Sequence, residues 1–160
     1  MAENRLFISF SATKEFAECD YYFKTVVRQA ILATLEYEDF RRDTEVSVTF
    51  CDNEYIMKLN KTYRNKDSAT DVLSFPLYDL SSDCDEPLMN EGALELGDIV
   101  ISIERAKEQA KEIGNTFLEE IAFLTVHSTL HLLGYDHERS EEDEKLQCDA
   151  QKCIVSTLEI

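Results

Sequence analysis

Residues 116–137 read TFLEEIAFLTVHSTLHLLGYDH and carry all three histidines of the 160-residue chain, His127, His131 and His137. Thr116 followed by Glu119 is a capping box, and the residues from Ile121 to Leu133 are apolar on nearly every face. A helix of this kind belongs in the middle of a core. His127 and His131 lie four residues apart, so both imidazoles project from one side of that helix, one turn from each other. Gly134 supplies the backbone freedom on which a helix can stop and turn. His137 then arrives from a different direction. Two ligands on a rigid helix and a third on the returning loop describe a tripod that leaves the fourth tetrahedral position open to water. The segment predicts a metal site with one ion per chain, and zinc is the ion that imidazole ligands suit.

The spacing HxxxHxxGxxH matches the metzincin protease pattern, but two features oppose that reading. Those enzymes use a glutamate directly after the first histidine as general base, and Ser128 stands there. The three methionines are residues 1, 57 and 89, so none follows the site to form a Met-turn.

Outward from this segment, the chain reads as one α+β domain over residues 1–160. Apolar and β-branched residues predict strands at 5–11, 45–50, 71–75 and 96–103. Helices are expected at 13–38, from Asp52 or Asn53 to 64, at 104–113 and at about 140–158, beside the histidine helix. Residues 78–92 read as a loop-like insertion. The expected architecture is a sheet of about four strands packed with four or five helices around a buried central histidine-bearing helix.

Composition narrows the setting. No apolar run approaches the ~20 residues of a membrane span, and the first ten residues hold no signal-like apolar region, so a cytoplasmic protein with no membrane partner is expected. Cys19, Cys51, Cys84, Cys148 and Cys153 are odd in number and form no CxxC pair, which fits free thiols. Cys148 and Cys153 are within conceivable reach of a metal, but three histidines already make a sufficient open site. The net charge is −17, and it is uneven: residues 1–70 hold 10 Lys+Arg against 12 Asp+Glu, residues 71–160 only 6 against 21. Any polyanionic partner must meet the first half.

That half contains LNKTYRNKDSATDVLSFP, residues 59–76, and Lys58, just before it, forms with Lys61, Arg64 and Lys66 the densest basic group. The lysines equally suit the solvated face of a helix. Arg64 stands where helix gives way to turn, and its planar guanidinium can fork two hydrogen bonds to a phosphate. Asp71 and Asp98, each beside a strand start, read as turn caps or as carboxylates orienting a ligand histidine; capping is the simpler role.

Taken together, LNKTYRNKDSATDVLSFP, LELGDIVISIERA and HSTLHLLGYDH resemble the YbeY family of bacterial ribosomal RNA maturation factors, over residues 46–147 and in the same order. The resemblance implies a metal-dependent endoribonuclease acting on single-stranded RNA, engaged in small-subunit rRNA 3′-end maturation and ribosome quality control. It places the family's zinc ligands on His127, His131 and His137 and its arginine on Arg64, and it implies the small ribosomal subunit and its assembly factors as partners. Asp136, beside the third ligand, is a weaker candidate for proton transfer. Two other readings are a non-catalytic assembly factor with a structural metal, closed for instance by Cys148, and a metzincin-like metalloprotease.

Overall fold

The computed structural model describes residues 4–68, 70–78, 92–135 and 140–158. Along the chain run β1 (Leu6–Ala12), α1 (Tyr21–Tyr37), β2 (Thr44–Cys51), α2 (Asn53–Arg64), β3 (Val72–Pro76), β4 (Leu94–Ser102), α3 (Ile103–Ile113), α4 (Phe117–Leu132) and α5 (Glu141–Ser156). The strands form one sheet in the order β1-β2-β4-β3. β1, β2 and β4 are mutually parallel, and β3 joins β4 antiparallel as an edge. This is the expected α+β architecture, with four strands and five helices among the described residues.

Side chains alternate between the two faces of the sheet. One face is apolar across its width, the other only toward β4 and β3, since β1 and β2 present Ser9, Ser11, Glu45, Ser47 and Thr49 there. Val46, Val48, Phe50, Ile99 and Ile101 point to one side and pack with Phe23, Val27 and Ile31 of α1 and Ile121, Leu124 and Leu132 of α4. Cys51, Leu73 and Val100 point to the other and are covered by Ile56 of α2. α5 closes over the outer side of α4, where Val126 and Leu130 meet Ala150 and Ile154. The histidine helix is therefore central: it touches α1, α3, α5, β3 and β4. Fully burying each of its leucines and isoleucines contributes about 1.5–3 kcal/mol, so packing fixes its position.

Local chemistry sets the helix ends. The capping box is present in both directions, with Glu119 N–H bonded to Thr116 Oγ1 at 3.1 Å and Thr116 N–H to Glu119 Oε1 at 2.9 Å. Within α4 the buried hydroxyls of Thr125 and Thr129 donate back to the carbonyls of Ile121 and Thr125, which satisfies them without a partner helix.

Two boundaries differ from the sequence reading. The first helix begins at Tyr21 instead of residue 13, because Asp20 caps it by accepting from Phe23 N–H at 2.9 Å; Phe16, counted in its apolar spacing, packs on the core from outside the helix. β4 starts at Leu94 and gives way at Ser102, whose hydroxyl accepts from Arg105 N–H and so opens α3 at once. Most of the insertion predicted at 78–92 lies outside the described residues.

The β3 edge is shaped by one glycine. The register slips between Glu45 and Val46, which face Glu95 and Gly97 and leave Leu96 as the extra residue of a bulge. Gly97 has φ +147°, and a Cβ there would lie 2.2 Å from the Phe75 carbonyl oxygen. Only glycine lets β3 come this close. Pro76, opposite Gly97, is tolerated because β3 is an edge strand.

Candidate metal and phosphate cleft

Where α4 passes under the edge strand, a cleft of about 360 Å³ opens between α4, β3 and the end of α2. His127 and His131 form one wall, Val72, Leu73 and Ser74 another, and Asn60, Arg64, Lys66, Ser68, Thr70 and Asp71 the rest. Three of the residues expected from sequence to act together, His127, His131 and Arg64, thus share one cavity. His137 and Asp136 lie outside the described residues.

The two imidazoles converge. His127 Nε2 and His131 Nε2 are 3.1 Å apart, with the rings 70° from coplanar. Two nitrogens bound to one zinc at tetrahedral geometry would stand about 3.3 Å apart, so the pair has the spacing and direction of a half-built site. The opposite edge of His127 sets its tautomer: Nδ1 lies 2.8 Å from Gln151 Oε1, an acceptor only, so Nδ1 carries the proton and Nε2 presents its lone pair to the cleft. Gln147 stands behind the same nitrogen, its Nε2 at 3.3 Å, and its buried Oε1 has no hydrogen-bond partner among the described residues. A turn of that amide would offer Nδ1–H a second acceptor. Both glutamines are buried on α5. Sequence reading missed them, because a glutamine pair four residues apart on an acidic helix looks like a solvated face until α5 is docked.

Among the described residues, no group of three or more His, Cys, Asp or Glu side chains is placed to hold a metal. Cys148, considered as a closing ligand, is exposed on α5 beside Gln147. Among the described residues, it forms no metal-holding group with His127 and His131. Cys51 is buried, and burial pushes its thiol up to about 12; Cys19 is pushed up to about 11 for the same reason. Both suit a structural role.

Ser128, in the position a metzincin gives to glutamate, is fully buried and its Oγ lies 2.9 Å from Ser74 Oγ. It ties α4 to β3 and faces away from solvent, so it has no access to a general-base role.

Arg64 is the last residue of α2, and its placement follows from Asn60. Asn60 is buried; its carbonyl accepts from Lys66 N–H at 3.2 Å and its Nδ2 donates to Ser68 O at 2.9 Å. Asn65 ends the helix in the left-handed conformation with φ 56°. The turn is thereby pinned from both sides, and Arg64 and Lys66 are carried to the rim of the cleft, exposed.

Asp71 is mainly a cap, as its position suggested. Its Oδ1 accepts from Val72 N–H at 2.8 Å. Its Oδ2, however, accepts from Gln109 Nε2 at 3.0 Å, and the same amide donates to Glu120 Oε1 at 2.8 Å. A buried glutamate on the histidine helix is thus connected through α3 to a carboxylate of the cleft. Burial raises the pKa of Glu120; the hydrogen bond from Gln109 opposes this and the Asp71 charge adds to it. Asp98 is exposed on β4 and does not reach the cleft.

Comparisons with known proteins agree with this architecture. The sequence profile described as Endoribonuclease YbeY matches residues 9–159. A protein named Endoribonuclease YbeY from Caldanaerobacter subterraneus is 52% identical over 138 residues, covering 84% of this chain and 87% of its own. One of the same name from Clostridium botulinum is 48% identical over 137 residues, covering 79% and 81%. Among solved structures, the solution structure of TM1509 from Thermotoga maritima superposes with a TM-score of 0.59 at 26% identity, over 93% of this chain and 87% of that one. With a profile matched over nearly the whole chain and relatives at about half identity, the chain belongs to the endoribonuclease YbeY family.

Proposed function

We propose that the protein is a zinc-dependent endoribonuclease for single-stranded RNA, acting in the cytoplasm on small-subunit ribosomal RNA during 3′-end maturation and ribosome quality control. The observation that carries the reading is the shared cleft: converging Nε2 atoms of His127 and His131 on one wall and the Arg64 guanidinium at the rim. His127 and His131, with His137 as third ligand, would hold one zinc ion. Bound there, zinc supplies Lewis acidity toward a phosphoryl oxygen and acidifies water.

The chain's own residues do the rest. Gln151 holds His127 in the tautomer that offers Nε2. Arg64, at the rim, binds the scissile phosphate through its fork and neutralises charge that grows on the phosphoryl oxygens, while Lys66 adds attraction as a point charge. Charge supports a role for the small subunit and its assembly factors as partners: at −17 the protein gains little from long-range attraction to RNA, so affinity rests on a local basic patch and on components already assembled there.

Zinc-loaded protein incubated with ribosomal RNA should cleave it at single-stranded sites, and His131→Ala should not. Intact RNA after incubation with protein shown to hold zinc would favour the rival reading, an assembly factor with a structural metal.

A further inference from the structure

The inward-facing stripe of α2 runs through Ile56, Leu59 and the polar Asn60 and reaches Tyr63 one turn later. Ile56 and Asn60 are buried, but Tyr63 is 66% exposed. Its ring meets Phe75 edge-on, centroids 5.4 Å apart and planes at 69°. So little of Tyr63 is removed from water that packing alone gives a weak reason for a large aromatic there. Its surroundings give a stronger one. Arg64 follows it and lines the cleft; Ser74, which precedes Phe75, lines it too; Lys61 and Arg64 fill the last turn of α2, and Lys66 stands just beyond. An exposed aromatic face beside the densest cations of an acidic chain is the composition that binds an unstacked base next to its phosphate.

We propose that Tyr63, braced by Phe75, is a stacking platform for one unpaired nucleobase of the RNA strand whose phosphate is met by Arg64 and Lys66. This rests on the RNA reading above and deepens it. Successive residues of a strand face opposite sides, so Ser74 looks toward the histidine helix while Phe75 and Tyr63 lie on the α2 side. A strand that presents a phosphate to the cleft and a base to Tyr63 must cross the free edge of β3. A duplex cannot do this, because its bases are stacked on one another; the platform therefore selects single strands.

The test is the affinity of the full zinc-loaded protein for a fluorescently labelled single-stranded oligoribonucleotide, read by stopped-flow anisotropy before cleavage. Tyr63→Phe keeps the ring and should bind within about twofold of wild type. Tyr63→Leu keeps apolar cover over Phe75 but loses the π face, and should bind about tenfold more weakly, the scale of one lost base–aromatic stack. Replacing each nucleotide in turn by an abasic residue should weaken wild-type binding most at one position, and Tyr63→Leu should lose nothing further there. Melting curves confirm that both variants are folded. Equal loss at every abasic position in wild type overturns the platform whatever the variants do, as does wild-type affinity in a folded Tyr63→Leu. Those outcomes leave the RNA reading intact. Failure of wild type to bind the strand at all removes both.

Discussion

Arg64 and Glu120 show how differently single residues register in sequence and in space. Arg64 was legible: a basic residue at a helix-to-turn junction, in the one basic patch of an acidic chain, and the structure sets it at the rim of the histidine cleft. If it binds the phosphate through a planar fork, Arg64→Ala should lower single-turnover RNA cleavage by about two to three orders of magnitude, with zinc content and melting temperature nearly unchanged. Arg64→Lys should recover only part of the rate, since lysine keeps charge but not the fork. Matching rates in the three proteins would reduce Arg64 to a solvated helix end. Glu120 was not legible, because a glutamate in the first turn of a helix reads as a partner of the macrodipole. It is 1% exposed. Its folded-state pKa is raised chiefly by burial, so folding takes up a proton once the pH exceeds the ordinary glutamate value of about 4.3. The stability due to its neutral form is complete below that value and is lost as pH rises through the raised one. Glu120→Gln keeps an acceptor for Gln109 and has no proton to lose. Its melting temperature, relative to wild type, should therefore rise between pH 4 and pH 7; a constant difference across that range would contradict the assignment.

At the scale of elements, what the sequence carried was local: periodicities, caps and the capping box all sit within one turn of themselves. The histidine helix could be recognised as central because it is apolar on every face, and the structure surrounds it with three helices and two strands. What could not be read were contacts between distant segments. Gln151 lies 24 residues from His127, and Gln109 lies 38 from Asp71, each pair on separate elements. The same holds for β3, whose close approach to β4 depends on Gly97 standing opposite Pro76. The early start assigned to α1 has a related cause: Phe16 fits the helical spacing, but it reaches the core from a turn before Asp20. The docking of α5 on α4 carries its own prediction. If Gln151 orients His127, Gln151→Ala should weaken zinc affinity by about 10- to 100-fold in competition with a chromogenic chelator, while the protein stays folded by circular dichroism. Unchanged affinity would mean that α5 only covers the helix.

For the molecule as a whole, charge and site pull in opposite directions. Fifteen of the seventeen net negative charges fall in residues 71–160, the half that carries the histidines, while the cations of the cleft come from α2 and the turn after it. The fold brings these halves together because the turn after α2 leads directly into β3, which lies along the outer edge of the sheet beside α4. No helix among the described residues is long and apolar enough to cross a membrane. The central claim is that one zinc ion, held by the histidines, makes this cleft a ribonuclease. It is tested most directly by stripping the protein with a chelator and following the single-turnover cleavage rate of a single-stranded ribosomal RNA fragment as zinc is added back. The rate should be near zero at the start, rise linearly to about one equivalent per chain and then stay flat, as expected for one open catalytic site. His127→Ala/His131→Ala should show no such rise. Full cleavage by the stripped protein, or the same titration curve from the double variant, would contradict the account.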